Sequence, residues 1–483
     1  MLRKATESPC LCTSVKGFFN ERNGMKKGYV ALLWSLLIGL IACEKEEAII
    51  TDTNQVNNWI EATMRTDYLW YEELPDKSQL DFNADPETFF NSLLSDKDGK
   101  VINGSLHHFS TIEKAATTKA ILDEKDSYGF DFAVTKLQTS DKETYNIAVV
   151  IYVLPNSPAE EAGLRRGDWI LGVNGELGSI TEDYNSLRSG AEARLYIADY
   201  DREKKSFIHA RYLTLTASRA VEDTPFLKDS IYQVGGKTVG YLMYNHFASD
   251  PESYKGTAYN EQMTALFARF KQQGVNEFIL DLRYNGGGLL SCAQLLASFL
   301  APSSALGQVF CKEVYNDLNQ AKNQSVKLLR TTEVLAGNLN LQRLYVLTGS
   351  STASSSELVI NGLRPFMGQE QVRLIGRTTL GKTVGMTIYD QSSKYGWIMQ
   401  PITFYVFNGE DKADYTDGFT PDVEVNEYEQ TLGPFGTTDD PLFAQAMAEI
   451  SGTTSFRAAL TPAIPFTWQE VNVRKGRGII ADL

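Results

Sequence analysis

Histidine and cysteine are both scarce in this chain, four His and five Cys in 483 residues. So few cysteines exclude a disulfide-built scaffold, which needs a dense framework of them. None of them has zinc-type spacing, and the adjacent His107 and His108 lack a third ligand at suitable distance, so neither a metal nor any other cofactor is expected. Basic charge is short as well: 46 Lys and Arg face 60 Asp and Glu, a net charge of −14. Phosphate binding needs clustered Lys and Arg, so a nucleic-acid partner is not expected. Long apolar runs are missing except for one near the N-terminus. What is present is a 43% hydrophobic fraction with six Trp, the composition of globular domains. A chain this long suggests about three of them.

The one apolar run, from Tyr29 to Ala42, follows the short basic stretch Met25-Lys-Lys-Gly28 and ends in small residues before Cys43. It is too short for a comfortable membrane span. It resembles a bacterial lipoprotein signal, with Leu40-Ile-Ala-Cys43 as the lipobox and Cys43 as the lipidated residue; Met25 is then the expected true start and residues 1–43 a leader plus signal. An uncleaved membrane anchor is the alternative, and either reading sends the rest out of the cytoplasm. Glu44-Lys-Glu-Glu47 resembles the acidic export tag of surface lipoproteins in the Bacteroidetes and reads equally as a solvated linker. The expected location is the cell envelope, lipid-anchored to the outer membrane on its periplasmic face or at the surface. Cys292 and Cys311 then remain, expected as buried free thiols beside Leu290 and Phe310, with pairing left open.

Residues 44–52 read as a polar tether. From 53 to 118 the apolar residues Val56, Trp59, Ile60, Met64, Phe89, Phe90, Leu93 and Leu94 recur at helical spacing, punctuated by Pro75 and Pro86, which predicts a helical domain. Residues 122–216 mix strands with a helix: a strand over 145–153, a helix opened by Pro158 and stopped by Gly163, then a strand closed by the hairpin dipeptide Asn174-Gly175. From 217 to 450 strands and helices alternate, the mark of a layered α/β domain. Residues 451–483 form a C-terminal extension.

Three turns in that α/β block carry chemistry. Leu344-Tyr-Val-Leu347 reads as a buried strand, followed by a small-residue turn and a helix bearing Leu358, Val359 and Leu363. A hydroxyl at a helix start lies beside unpaired N–H groups, as a serine nucleophile requires; a plain Ser/Thr cap is the simpler reading of that turn alone. Gly286-Gly-Gly288 follows a strand and precedes a helix, where backbone N–H groups approach a ligand closely, and it lacks the Lys and Ser/Thr of a phosphate loop. Gly381-Lys382 presents a lysine, which acts as a general base only when burial keeps it neutral.

Together these segments resemble the C-terminal-processing (tail-specific) serine peptidase family. Asp281-Leu-Arg-Tyr-Asn-Gly-Gly-Gly-Leu289 matches its D-L-R-x-N-x-G-G-L segment, Thr352-Ala-Ser-Ser-Ser-Glu357 its S-A-S-A-S-E, Gly381-Lys382 its catalytic G-K, and Gly418-Phe-Thr-Pro-Asp-Val423 its G-I-x-P-D-V. Ser157 to Gly175 resembles part of a PDZ domain. The resemblance implies an α/β multidomain fold: an N-terminal helical domain, a sandwich-like PDZ domain with a helix, and a layered crotonase/ClpP-like peptidase core. It implies Ser354 as nucleophile, with Ser356 as rival register, and Lys382 as base. Oxyanion donors would be the backbone N–H groups of Gly287 and Ser355, with Glu357 in support. A PDZ loop at Gly129 and Phe130 would hold substrate tails, and the partners would be polypeptides cleaved near their C-termini. Two departures stand out: Met386 occupies the place of the family's orienting Gln, and no acidic partner for the dyad follows Ser354. A histidine base is the alternative, with His107-His108, His209 or His246 available. A catalytically silent, ligand-binding envelope lipoprotein is the alternative function. The sequence leaves oligomeric state open.

Overall fold

A computed structural model describes residues 52–102, 104–115, 126–138, 144–178, 180, 185–251, 255–453, 467–469 and 479–480. The leader, Cys43 and the tether up to residue 51 lie outside these residues. Among the described residues no helix is long and apolar enough to cross a membrane.

The N-terminal part opens with a helix, Thr53–Asp67, capped by Asp52, whose side chain accepts from Asn54 N–H. Val56, Ile60 and Met64, four apart, bury one stripe. A second helix, Pro86–Asn91, starts on Asp85 with Pro at its first position. The predicted helical pattern ends sooner than expected. Gly99–Ile102 and Ser105–His108 form an antiparallel hairpin, and Thr111–Lys114 pairs with Trp397–Gln400 of the peptidase-like block. The Asn-Gly dipeptide at 103–104 is a hairpin signal that outweighs the apolar count, and the third strand exists only because a distant strand receives it.

The middle block is an antiparallel sheet ordered Phe130–Gln138, Thr144–Val153, Trp169–Val173, Ala193–Asp201, Ser206–Leu215. Asn174 and Gly175 both have positive φ, 55° and 92°, as a two-residue hairpin turn demands. The outer edge of Phe130–Gln138 is not bare: Thr467–Gln469, far downstream, pairs antiparallel with it.

The α/β block is built on a six-stranded sheet ordered Phe226–Val234, Lys237–Tyr244, Glu277–Asp281, Leu344–Thr348, Val372–Gly376, Val423–Glu424. All but the first of these run parallel. Alternate residues leave opposite faces. Leu280, Val346 and Leu374 join a core with the helices Ala258–Gln272, Leu290–Leu300 and Ser355–Met367. Ile279, Tyr345, Leu347 and Ile375 face the helix Pro441–Ser451 and the back of the middle sheet, at Ile147, Val149 and Ile151. In the first core Phe267 stacks on Phe299 at 4.7 Å; each fully buried Phe of this kind contributes roughly 2 kcal/mol. Cys292 and Cys311 are both buried thiols outside any disulfide, and Cys292 Sγ donates to Asn260 Oδ1 at 3.4 Å. The fold is therefore mixed α/β, as expected.

Candidate active site

Glu277–Asp281, Leu344–Thr348 and Val372–Gly376 are neighbouring parallel strands. Parallel strands deliver their C-terminal ends to one edge of the sheet, where α/β proteins bind ligands. The glycine turn follows the first strand, the serine turn the second and the Gly-Lys turn the third. Three segments spread over a hundred residues of sequence thus meet at one place.

Ser354 sits at the start of the helix Ser355–Met367 with φ 62° and ψ −114°. That is a region a non-glycine residue occupies only when its surroundings force it, and it is the conformation of a strand-to-helix nucleophile elbow. The neighbouring hydroxyls are spent: Ser355 Oγ donates to Gly288 O at 2.6 Å and Ser356 Oγ to Asn285 O at 2.9 Å. Ser354 Oγ is buried and has no hydrogen-bond partner. Of Ser354 and its rival Ser356, only Ser354 has a hydroxyl without a partner.

The glycine turn lies flush against it. A Cβ placed on Gly287 would be 2.9 Å from Ser354 Cβ and 3.2 Å from Ser355 N, so only glycine permits the approach. The Ser355 N–H, in the first turn of the helix, has no intrahelical acceptor. The Gly287 N–H, expected as the second oxyanion donor, is turned away: it donates to Asn285 Oδ1 at 2.9 Å. In this state the pocket therefore offers Ser355, and Gly287 supplies close approach rather than a free donor.

Glu357 is fully buried and does more than favour the helix dipole. Its Oε2 accepts from Ser354 N–H at 2.8 Å and Lys382 N–H at 2.9 Å; its Oε1 accepts from Gly381 N–H and Thr379 Oγ1, each at 2.6 Å. Burial pushes this carboxyl above its ordinary range, and the four donors oppose the rise. The Gly418 segment backs the lysine turn, since Phe419 N–H donates to Thr379 Oγ1 at 2.7 Å.

Lys382 is 3% exposed. Burial pushes its amine down to about 8, against the pull of the Asp98 and Glu357 carboxylates. Its Nζ lies 4.9 Å from the centre of the Phe109 ring. Asp98 and Phe109 come from the N-terminal part, and neither was visible as a site residue. Asp98 sits in Ser95-Asp-Lys-Asp-Gly99, which reads as a solvated turn, yet it is buried and accepts from Tyr68 Oη at 2.9 Å and Ser110 N–H at 3.1 Å. Lys100 donates to the carbonyl of Leu380, on the lysine turn, and to that of Thr416, just before Gly418. Met386, in the place of the expected Gln, is fully buried in the apolar core.

No histidine holds Ser354 Oγ, which has no partner. His108 Nδ1 lies 2.7 Å from Asp98 O, and His209 is exposed and pairs with Asp199 at 2.8 Å. His246 is buried, next to Phe247, whose N–H donates to Gly287 O at 3.0 Å. The described residues contain no cluster that could hold a metal ion. At the other candidate site, Gly129 has φ 77°, and its N–H donates to Ser127 Oγ at 2.9 Å. The Tyr128 N–H donates to Arg188 O at 2.9 Å. Phe130 opens the strand whose outer edge carries Thr467–Gln469.

A strained serine with a free hydroxyl, a helix-start N–H beside it and a buried amine from the next strand define a site of serine-hydrolase type. Family models agree on the rest. The peptidase S41 N-terminal domain matches residues 55–111, a PDZ domain 149–195 and peptidase family S41 238–425. A crystal structure of a Bacteroides fragilis protein assigned to the S41 proteases is 37% identical; the match covers 82% of this chain and 98% of that one, with a TM-score of 0.70. A carboxyl-terminal-processing protease of Synechocystis is 28% identical over 267 residues, 54% of this chain and 55% of the relative. A chloroplastic C-terminal processing peptidase of Tetradesmus obliquus is 25% identical over 295 residues, 58% and 56% of the two chains. The chain thus spans about half the length of these curated relatives. The chain belongs to peptidase family S41.

Proposed function

We propose that this protein is a serine endopeptidase that cleaves polypeptides near their C-termini, with Ser354 as nucleophile and Lys382 as general base. The observation that carries the reading is the free Oγ of Ser354, on a strained turn that Glu357 ties to a buried, weakly basic lysine. Neutral Lys382 takes the Ser354 proton as Oγ attacks the scissile carbonyl. The Ser355 N–H receives the developing oxyanion. Protonated Lys382 then passes its proton to the leaving amine, leaving an ester on Ser354. A water molecule, deprotonated by Lys382, hydrolyses that ester and frees the enzyme.

The PDZ domain recruits substrate tails by strand addition. The chain is held to the cell envelope by lipid on Cys43; palmitate labelling that disappears in Cys43→Ser tests that anchor, and labelling that persists overturns it. For catalysis, Ser354→Ala and Lys382→Ala are each expected to abolish cleavage of a tailed protein substrate while the fold is kept. Full activity in Lys382→Ala would remove the dyad.

A second reading, a silent ligand-binding lipoprotein, is favoured by Met386 and by the engaged Gly287 N–H. A fluorophosphonate probe, run beside the cleavage assay, separates the two: labelling lost in Ser354→Ala marks a working nucleophile. An unlabelled and inactive wild type favours the silent protein.

A further inference from the structure

Two short strands from the end of the chain lie on the two edges that a substrate would need. Thr467–Gln469 pairs antiparallel with Lys136, Thr135 and Val134 on the outer edge of the PDZ strand that begins at Phe130. That is where an added peptide strand would form its ladder. Ile479–Ile480 pairs in parallel with Gly288–Leu289 on one side and with Gly385–Met386 on the other. These two strands border the site directly: Gly288 follows Gly287 and its carbonyl holds Ser355 Oγ, and Gly385 lies three residues after Lys382. Gly288–Leu289 belongs to the second six-stranded sheet, ordered Gly288–Leu289, Ile479–Ile480, Val384–Met386, Ile402–Asn408, Val309–Tyr315, Gln324–Lys327, only through Ile479–Ile480. The segment therefore closes a slot one strand wide between the glycine turn and the lysine turn.

We propose that the chain's own C-terminal segment occupies both peptide-binding edges in cis, Thr467–Gln469 at the PDZ strand and Ile479–Ile480 in the catalytic slot, and that a polypeptide substrate must displace it. This rests on the peptidase reading for its consequence, but not for the binding itself. Two further observations support it. Ser354 is 0% exposed, so no substrate reaches the hydroxyl without something moving. The direction of the chain is also wrong for a substrate. A polypeptide whose tail is held at the PDZ strand brings upstream residues to Ser354, whereas here the downstream residues reach the slot. The segment blocks rather than feeds the site. Nine residues lie between Gln469 and Ile479, a reach of at most roughly 35 Å, so the two short strands are tethered closely to each other.

The test uses Ser354→Ala chains, so that binding is read without turnover. A fluorescein-labelled peptide of sequence 464–483 is titrated against the full chain, a chain ending at residue 453, and full-length Ile480→Pro. The proline removes a ladder N–H from the slot strand while leaving the rest of the segment in place. If the cis segment fills the edges about nine-tenths of the time, the shortened chain binds the peptide about tenfold more tightly than the full chain. Ile480→Pro moves the same way, with circular dichroism showing all three folded. Equal affinity across the three chains overturns the proposal, as does a folded shortened chain that does not bind the peptide. With Ser354 restored, the shortened chain should cleave a tailed protein faster. If deletion relieves binding but no chain cleaves anything, the peptidase reading fails and the cis occupancy stands.

Discussion

Glu357 Oε2 accepts the backbone N–H of Lys382 at 2.9 Å, across 25 positions of sequence. The same oxygen accepts the Ser354 N–H at 2.8 Å, so one buried carboxylate fixes the spacing of the two turns that carry Ser354 and Lys382 through their backbones. Hydroxyl and amine do not hydrogen-bond each other in this state, since Ser354 Oγ has no partner. Apo sites often hold catalytic pairs at such loose geometry. What is pre-set is the placement of the two turns.

Replacing that carboxylate therefore disturbs two turns at once. In Glu357→Gln, one end of the side chain becomes an NH2 group facing donors that the carboxylate had satisfied. The cost of buried donors left without acceptors is on the order of 2–3 kcal/mol. The variant is expected to melt several degrees lower and to lose about tenfold or more in kcat, with little change in KM. Denaturant midpoints and steady-state kinetics measure both. Unchanged kcat in a folded Glu357→Gln would show that the carboxylate does not position the pair.

Strain at Ser354 makes a separate prediction about stability. At φ 62° and ψ −114° a side chain costs about 1–3 kcal/mol that glycine does not incur. Ser354→Gly should raise stability by about that amount while abolishing cleavage. Ser354→Ala, which keeps a Cβ, should be equally inactive without the gain. Equal denaturation midpoints for the two variants would mean the elbow stores no strain.

Much of this architecture is legible in the sequence, because apolar strands ending in glycine, serine or lysine announce themselves locally. The strand Leu344–Thr348 and the helix Ala258–Gln272 follow from residues at or near their own positions. What could not be read depends on partners far away. Thr111–Lys114 is a strand because Trp397–Gln400 lies beside it, and no local period encodes that. Asp98 looks like part of a charged turn until Tyr68 and Ser110 bury it near Lys382. The direction of the Gly287 N–H is likewise set by the Asn285 side chain, a choice invisible in a run of glycines.

The buried amine fixes a pH dependence. Burial lowers the pKa of Lys382 from its ordinary 10.5 to about 8, so the neutral base becomes more populated as pH rises through about 8. Below that point kcat/KM should climb about tenfold per pH unit, then level off. Stability runs with the same sign. The folded state disfavours the charged amine, so its burial costs stability in full below about pH 8, and the cost fades toward 10.5. Lys382→Met removes a penalty of roughly 3 kcal/mol at pH 7 and should be more stable there, though inactive. A rate profile that stays flat down to pH 5 would rule out a lysine base.

Arg166 makes the last prediction, about how the PDZ domain is held. Its guanidinium donates to Glu427 Oε2 and to Ile151 O, each at 2.6 Å, and to Tyr284 Oη at 2.7 Å. It also lies 4.2 Å from the centre of the Phe435 ring. Glu427 additionally accepts from Arg283 at 2.8 Å, and Arg283 pairs with Asp281 and Asp440 with no exposed side-chain surface. Burial alone would push the Glu427 carboxyl up, but Arg166 and Arg283 pull it down to about 2. A carboxyl depressed in this way stabilises the fold above its ordinary value of 4.5, and that contribution is lost as pH falls toward about 2. Arg166→Met removes one of the two cations and leaves part of a buried charge uncompensated, a loss on the order of 3 kcal/mol. The acid-unfolding midpoint should therefore move to higher pH, and limited proteolysis near the PDZ boundary should quicken at neutral pH. If acid unfolding and proteolysis both match the wild type, Arg166 does not couple the domains, and Arg283 and Tyr284 Oη suffice to hold Glu427 in place.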